Sequence, residues 1–265
     1  MALNHDHSDL GGRLGAIPIT VWRIAAFLLF IAGWWGLAKS AGHGFLPTPG
    51  ETASAAIRMG GDGTLARAVL QSSYSLIGGF LLATLVAIPA GMAMGGIPAI
   101  GRVLEPYVDA LSAMPRIAFL PLIIVFLGLG YEAKIFMVFL GAVMPILINT
   151  YAGVLHGDIE LIEMARATGA REVTIFRKIV LPGALPHIMT GLRVGASLAL
   201  INTVVAELYT AVSGLGGLLS IYGNSFRMAP YFVVVVVLAL MGVFLMYGVR
   251  LVERRVMRWR VDRRW

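Results

Sequence analysis

Long uncharged runs separated by short polar stretches dominate this sequence. Runs at residues 24–38, 68–101, 107–129, 135–155, 185–208 and 228–249 approach or exceed the roughly 20 apolar residues a helix needs to cross a bilayer. The first is short but extends upstream past Arg23, whose long stem can reach the interface. The first 20 residues carry Asp and His and lack a small-residue cleavage site after a short apolar core, so a retained helix is expected rather than a removed leader. Residues 39–67, rich in Gly, Pro and polar side chains, read as a loop. The third run holds Asp109, Pro115, Arg116 and Pro121, which predicts a kinked or broken span shielded by protein.

Within the second run, Ser75, Gly79, Ala83, Ala87, Gly91 and Gly95 recur every four residues, and Gly191, Gly195 and Ala199 repeat the pattern in the fifth. Small residues at that spacing let helices approach closely in lipid, where hydrophobicity supplies no pull between them. The stripes predict a tight bundle and carry no information about a ligand.

Composition agrees. Of 265 residues, 58% are hydrophobic and 13% charged, whereas a soluble domain is nearer a quarter charged. The length suits six spans and leaves no room for a second sizeable soluble domain. A net charge of +7 would suggest nucleic acid in a soluble protein, but residues 250–265 alone carry seven Arg against Glu253 and Asp262. Such a cluster marks a cytoplasmic flank facing anionic lipid. Six spans put both termini on that side, consistent with Arg13 and Arg23. The segment 156–183, with Arg166, Arg171, Arg177 and Lys178, is then cytoplasmic, and 39–67 external. The chain divides into 1–67, a core at 68–250 containing the segment 156–183, and a basic tail at 251–265. With no cysteine and five scattered histidines, His5 and His7 included, no metal site is expected.

The segment after the fourth run carries the chemistry. Asp158 suits the N-cap of a short helix bearing Ile159, Ile162 and Ala165, and Gly169 suits the left-handed residue that ends it. A second helix presents Val173, Phe176 and Ile179/Val180, and Pro182 is expected to stop it before the fifth span. The outcome is a helix-turn-helix at the membrane surface with a small-residue elbow.

Glu163, Ala165, Gly169, Ile179, Leu181 and Pro182 resemble, in identity and spacing, the EAA loop of ABC importer permeases, with Met164 where Ala is usual. Leu46-Pro-Thr-Pro49, Pro115-Arg-Ile-Ala-Phe-Leu-Pro121, Gly128-Leu-Gly130 with Lys134, Pro145 with Asn149-Thr150, Ala206-Glu207-Leu208 and Gly214-Leu-Gly216-Gly217 are similar to the nitrate/sulfonate/taurine branch of that family. Phe126-Leu127-Gly128 stands where many relatives have Trp-Phe-Gly. The resemblance implies an all-α type I importer transmembrane domain of about six helices in a bacterial inner membrane. It further implies a coupling helix for separate ATPase subunits, which bind ATP and Mg, a solute-binding protein, and a second permease copy. The chain itself has no P-loop: its three lysines include one Lys-Ser pair, Lys39-Ser40, after Ala38. No catalytic residue or cofactor is expected in it.

Arg116, Asn149, Arg193, Asn202 and Glu207 are the candidate path residues, polar groups in or bordering apolar runs. Positive groups there suit an anionic cargo. Arg193, about 16 Å along a helix from Pro182, suits a cavity wall or an interhelical pair. Glu207 is expected at the outer end, as a gate residue or a solvated neighbour of headgroups, with Gly214–Gly217 as a flexible gate. The rival reading, an ion-coupled secondary transporter, would make Asp109 or Glu207 a proton relay.

Overall fold

The structure is a computed structural model describing residues 18–40, 45–210 and 213–258. His5, His7, Arg13, His43 and the last arginines of the tail lie outside these residues. The described chain is helical, in the order α1 (Ile19–Ser40), α2 (Pro49–Gly61), α3 (Thr64–Gly96), α4 (Pro98–Ala113), a 3₁₀ turn (Arg116–Phe119), α5 (Leu120–Leu127) and α6 (Tyr131–Leu155). Next come α7 (Ile159–Ala167), α8 (Glu172–Ile175), a π turn (Phe176–Val180), α9 (Leu181–Thr210), α10 (Gly214–Asn224) and α11 (Met228–Val256).

Helix α6 is the centre of the bundle, clasped between α3 and α9 by the two small-residue stripes. A methyl group on Gly79 would run into Val138 and the Ile135 carbonyl, and one on Gly91 into Thr150 and the Leu147 carbonyl. From the other side, Gly191 lies against Ile146 and Asn149, and Gly195 against Ile146. Leu76, Ala83, Ala87, Val138, Ala142, Ile146 and Ala199 fill the space between these backbones. Close backbone approach therefore maximises dispersion contact where solvent exclusion contributes nothing.

Among the described residues, five helical stretches are long and apolar enough to cross a membrane, and α4 with the 3₁₀ turn and α5 forms a further pair bent by 83°. The break begins at Met114 and Pro115, both extended, where proline denies the helix a donor and biases the residue before it away from helix. The expected broken third span is therefore present, although it starts at Pro98 rather than near residue 107. Its two ends lie at opposite faces of the bundle. Gly101 packs on Met94 at the end of α3, while Tyr131, just beyond α5, meets Tyr74 edge-to-face near the start of α3. The bent pair thus runs from one end of α3 to the other, and counted as one span it would make the crossings six.

Two local expectations need correcting. Residues 49–61 form a helix, not a loop. Thr48 accepts the Glu51 N–H (3.2 Å) while the Glu51 carboxylate accepts the Thr48 N–H (2.7 Å), a reciprocal cap with Pro49 in the first turn. Pro182 does not stop a helix either: α8, the π turn and α9 run on as one 39-residue stretch, Glu172–Thr210. The wider π turn lets the Leu181 N–H reach the Phe176 carbonyl, so the proline enters a continuing helix. On the second short helix Ile175 is buried and Val173 is 70% exposed.

Candidate functional site

Helix α7 begins where the Asp158 carboxylate accepts the Leu161 N–H (3.2 Å). It ends in a left-handed Gly169 (φ +79°), whose N–H donates to Arg166 while the Ala170 N–H donates to Ala165 (3.0 Å). This pair of bonds closes the helix at the one residue type that adopts that φ without strain. Across the turn, the Arg166 guanidinium grips both Glu172 oxygens (2.9 and 3.1 Å). Both side chains are mostly in solvent, so the pair sets the angle of the elbow more than its stability.

No residue of α7 is buried, and Ile159, Leu161 and Met164 stay exposed there beside Val173 of α8. Glu163 and Gly169 are exposed and Ala165 half-buried, whereas Ile179, Leu181 and Pro182 are half-buried at the root of the segment. Phe176 and Val180 anchor that root against Val154, Ala184 and Ile188. The elbow therefore projects on a fixed base with an uncovered apolar face, the usual mark of a docking surface.

At the opposite face lies a buried polar knot. Glu207, fully buried, accepts from Ser72 Oγ (2.8 Å) and from the Gly216 N–H (2.9 Å). Ser72 Oγ in turn accepts the Leu215 N–H (2.8 Å), and the Gln71 amide oxygen accepts the Gly214 N–H (3.0 Å). Lys134, 1% exposed, donates to the Ser213 hydroxyl (2.7 Å) and carbonyl (3.1 Å). Together these bonds tie α3, α6 and α9 to the first turn of α10. Glu207 is thus no headgroup neighbour in solvent, and Gly214–Gly217 is helical rather than flexible. Gly214 (φ +90°) is glycine because a side chain there would overlap the Glu207 carboxylate. A cavity of about 330 Å³ opens beside the knot, lined by Asp62, Arg67, Gln71 and Ser213. Hydrogen bonds from Thr64 hold the Asp62 carboxyl below its ordinary range.

The candidate path residues do not form one cluster. Arg116 and Asn202 meet at Gly141: Arg116 Nη1 donates to the Gly141 carbonyl (3.2 Å), and the Asn202 amide fills the space a Gly141 side chain would need. Asn149 lies about 12 Å further along α6, donating to the Pro145 carbonyl of its own helix (2.8 Å). Arg193 makes an interhelical pair, its Nη2 donating to Glu253 of α11 (2.6 and 2.7 Å). Sequence reasoning missed the functional weight of Ser72 and Gln71. Lys134, quoted only as part of a motif, carried a signal of its own, a lone ammonium entering an apolar run.

These features define the class: a multi-pass helical membrane protein with a projecting elbow at one face and polar contacts buried inside its bundle. Residues 83–258 match the family described as "Binding-protein-dependent transport system inner membrane component", and the chain belongs to that family of ABC importer permeases. It is 30% identical to the taurine transport system permease protein of Escherichia coli, over 92% of this chain and 87% of that protein. It is 33% identical to the riboflavin transport system permease protein of Chloroflexus aurantiacus, over 92% of this chain and 89% of that protein. The fold is similar to an inward-facing structure of the MetNI methionine ABC transporter (TM-score 0.58, 23% identity), over 72% of this chain and 95% of that one.

Proposed function

We propose that this chain is the membrane-spanning, non-catalytic subunit of an importer whose separate ATPase subunits bind ATP and Mg. In this reading a solute-binding protein delivers the cargo, and two copies of the chain enclose the path between them. The α7–α8 face, both termini and the basic tail are cytoplasmic, and the α10 face meets the binding protein. The cargo is a small anion of the sulfonate, taurine or nitrate kind. The taurine relative supports that class, and the riboflavin relative makes direct uptake measurements necessary.

The observation that carries the reading is the elbow. A capped helix, a left-handed Gly169 and an ion-paired second helix expose Ile159, Leu161, Met164 and Val173 at the end of a rigid span. An apolar face on a firmly anchored lever suits transmission of movement from a partner's groove into α9.

The test is Gly169→Val, which forces a β-branched residue into φ +79°. The altered permease should insert normally yet lose the co-purified ATPase or its coupling to uptake. Normal values for both would overturn the assignment. Copurification of an ATPase with the unaltered chain separates this reading from an ion-coupled transporter.

A further inference from the structure

Pro145 sits inside α6 and has no N–H, so the carbonyl four residues earlier, that of Gly141, loses its helical donor. Arg116 Nη1 supplies the missing hydrogen bond, reaching across from the 3₁₀ turn between α4 and α5 (3.2 Å). The contact falls near the middle of the 25-residue α6, the helix clasped by α3 and α9. Gly141 has no side chain because the Asn202 amide occupies that place. A proline, a glycine, an asparagine and an arginine on three separate elements thus build one polar point at the depth of the bilayer centre.

The electrostatics there are one-sided. Among the described residues Arg116 has no carboxylate within ion-pair distance, and its hydrogen bond goes to a single neutral carbonyl. A guanidinium keeps its charge and has further N–H donors to place. Such a group at mid-bilayer is costly unless it faces water or an anion. Arg116 is only half-buried, at an 83° break that leaves Met114, Pro115 and Ile117 exposed beside it.

We propose that Arg116 is the oxyanion-coordinating residue of the permeation path, held in place by the carbonyl that Pro145 frees. The inference rests on the importer-permease reading and assigns its charge selectivity to one guanidinium. One Nη is fixed on Gly141 and the remaining donors face a small oxyanion such as a sulfonate, with the Asn202 amide beside it. The planar fork suits two oxygens of one anion, which a lysine ammonium does not match.

The test uses the permease–ATPase complex in nanodiscs, with equilibrium dialysis of radiolabelled ethanesulfonate and of uncharged diethyl sulfone. The unaltered complex should prefer the sulfonate. Arg116→Gln should weaken sulfonate binding by about tenfold or more, the loss of one charge-assisted contact, and leave sulfone binding unchanged. Arg116→Lys should fall between. Pro145→Ala gives the Gly141 carbonyl its helical donor back, so it should weaken sulfonate binding several-fold, and adding it to Arg116→Gln should cost nothing more. Sulfonate binding by Arg116→Gln equal to the unaltered complex overturns the proposal, as does a complex that binds sulfone as well as sulfonate. The ATPase content of the same preparations is scored separately: its presence keeps the importer reading standing even when the arginine assignment fails.

Discussion

Glu207 caps a helix to which it does not belong: its carboxylate accepts the N–H of Gly216, two residues into α10, at 2.9 Å. The residue at the N-cap position, Ser213, is turned instead toward Lys134. An acidic group at a helix N-terminus satisfies orphan donors and complements the dipole. Here it also joins the end of α9 to α3 through Ser72.

Replacing Glu207 by Ala strands the Gly216 N–H and the Ser72 hydroxyl in a buried site, at about 1–3 kcal/mol for each unsatisfied group. The thermal midpoint of the solubilised protein should fall, and fall less for Glu207→Gln, which keeps an acceptor oxygen. If the knot also gates the outer mouth, Glu207→Ala should lower uptake or release ATP hydrolysis from control by the binding protein, with the complex still assembled. Unchanged uptake and unchanged stimulation of hydrolysis would remove the gate assignment. An unchanged midpoint would remove the cap.

Glycines in the two long helices should respond in opposite directions to the same methyl group. Gly79→Ala drives a Cβ into Val138 and the Ile135 carbonyl, and the backbone atom cannot swing aside. Overpacking of this kind costs about 1–3 kcal/mol. Gly183→Ala meets nothing within 4 Å, so it should stabilise slightly, by about 0.5–1 kcal/mol through helix propensity. Denaturation of the two variants in one detergent checks both signs. A Gly79→Ala as stable as Gly183→Ala would mean that α3 and α6 are not in backbone contact.

What a single sequence revealed here was what repeats or what caps. The four-residue stripes announced the α3–α6–α9 clasp because close packing requires small residues at a fixed period. Asp158 and Gly169 announced the ends of α7 because capping chemistry is local. By contrast, Ser72 and Glu207 are 135 residues apart, and no local pattern joins them. Helix α2 was legible but misread: Thr48 and Glu51 stand at the spacing of a reciprocal cap, yet the surrounding Gly and Pro outweighed them. Pro182 misled because a π turn absorbed it, and Gly214–Gly217 because glycine permits close packing as readily as it permits flexibility.

Arg193 and Glu253 test whether a charge inside a bundle lines a path or fastens two helices. Both Glu253 oxygens accept from one Arg193 nitrogen, with the two side chains 43% and 25% exposed. Partial solvent screening limits the pair to about 1 kcal/mol or less. Arg193→Met should therefore cost little stability, and the double change Arg193→Met with Glu253→Met should cost no more than the single one. Uptake settles the role. If Arg193 only fastens α9 to α11, the double variant transports at the unaltered rate. A deep loss of uptake in both the single and the double variant would assign Arg193 to the path.

Topology offers the most direct check, because the chain has no cysteine of its own and every introduced one is unambiguous. Four exposed positions suffice: Ser54 on α2, Ile97 between α3 and α4, Leu129 before α6 and Arg166 on α7. If the bent α4–α5 pair crosses the bilayer, Ile97 and Arg166 share one face, and Ser54 and Leu129 share the other. The packing of Phe176 on Gly96 already links the first pair's surroundings. A membrane-impermeant maleimide added to intact cells should label Ser54→Cys and Leu129→Cys, and should reach Ile97→Cys and Arg166→Cys only after the membrane is opened. Leu129 labelling together with Ile97 would make the bent pair a re-entrant hairpin and reduce the crossings to five. External labelling of Arg166 would invert the whole subunit and place the elbow where no ATPase can reach it.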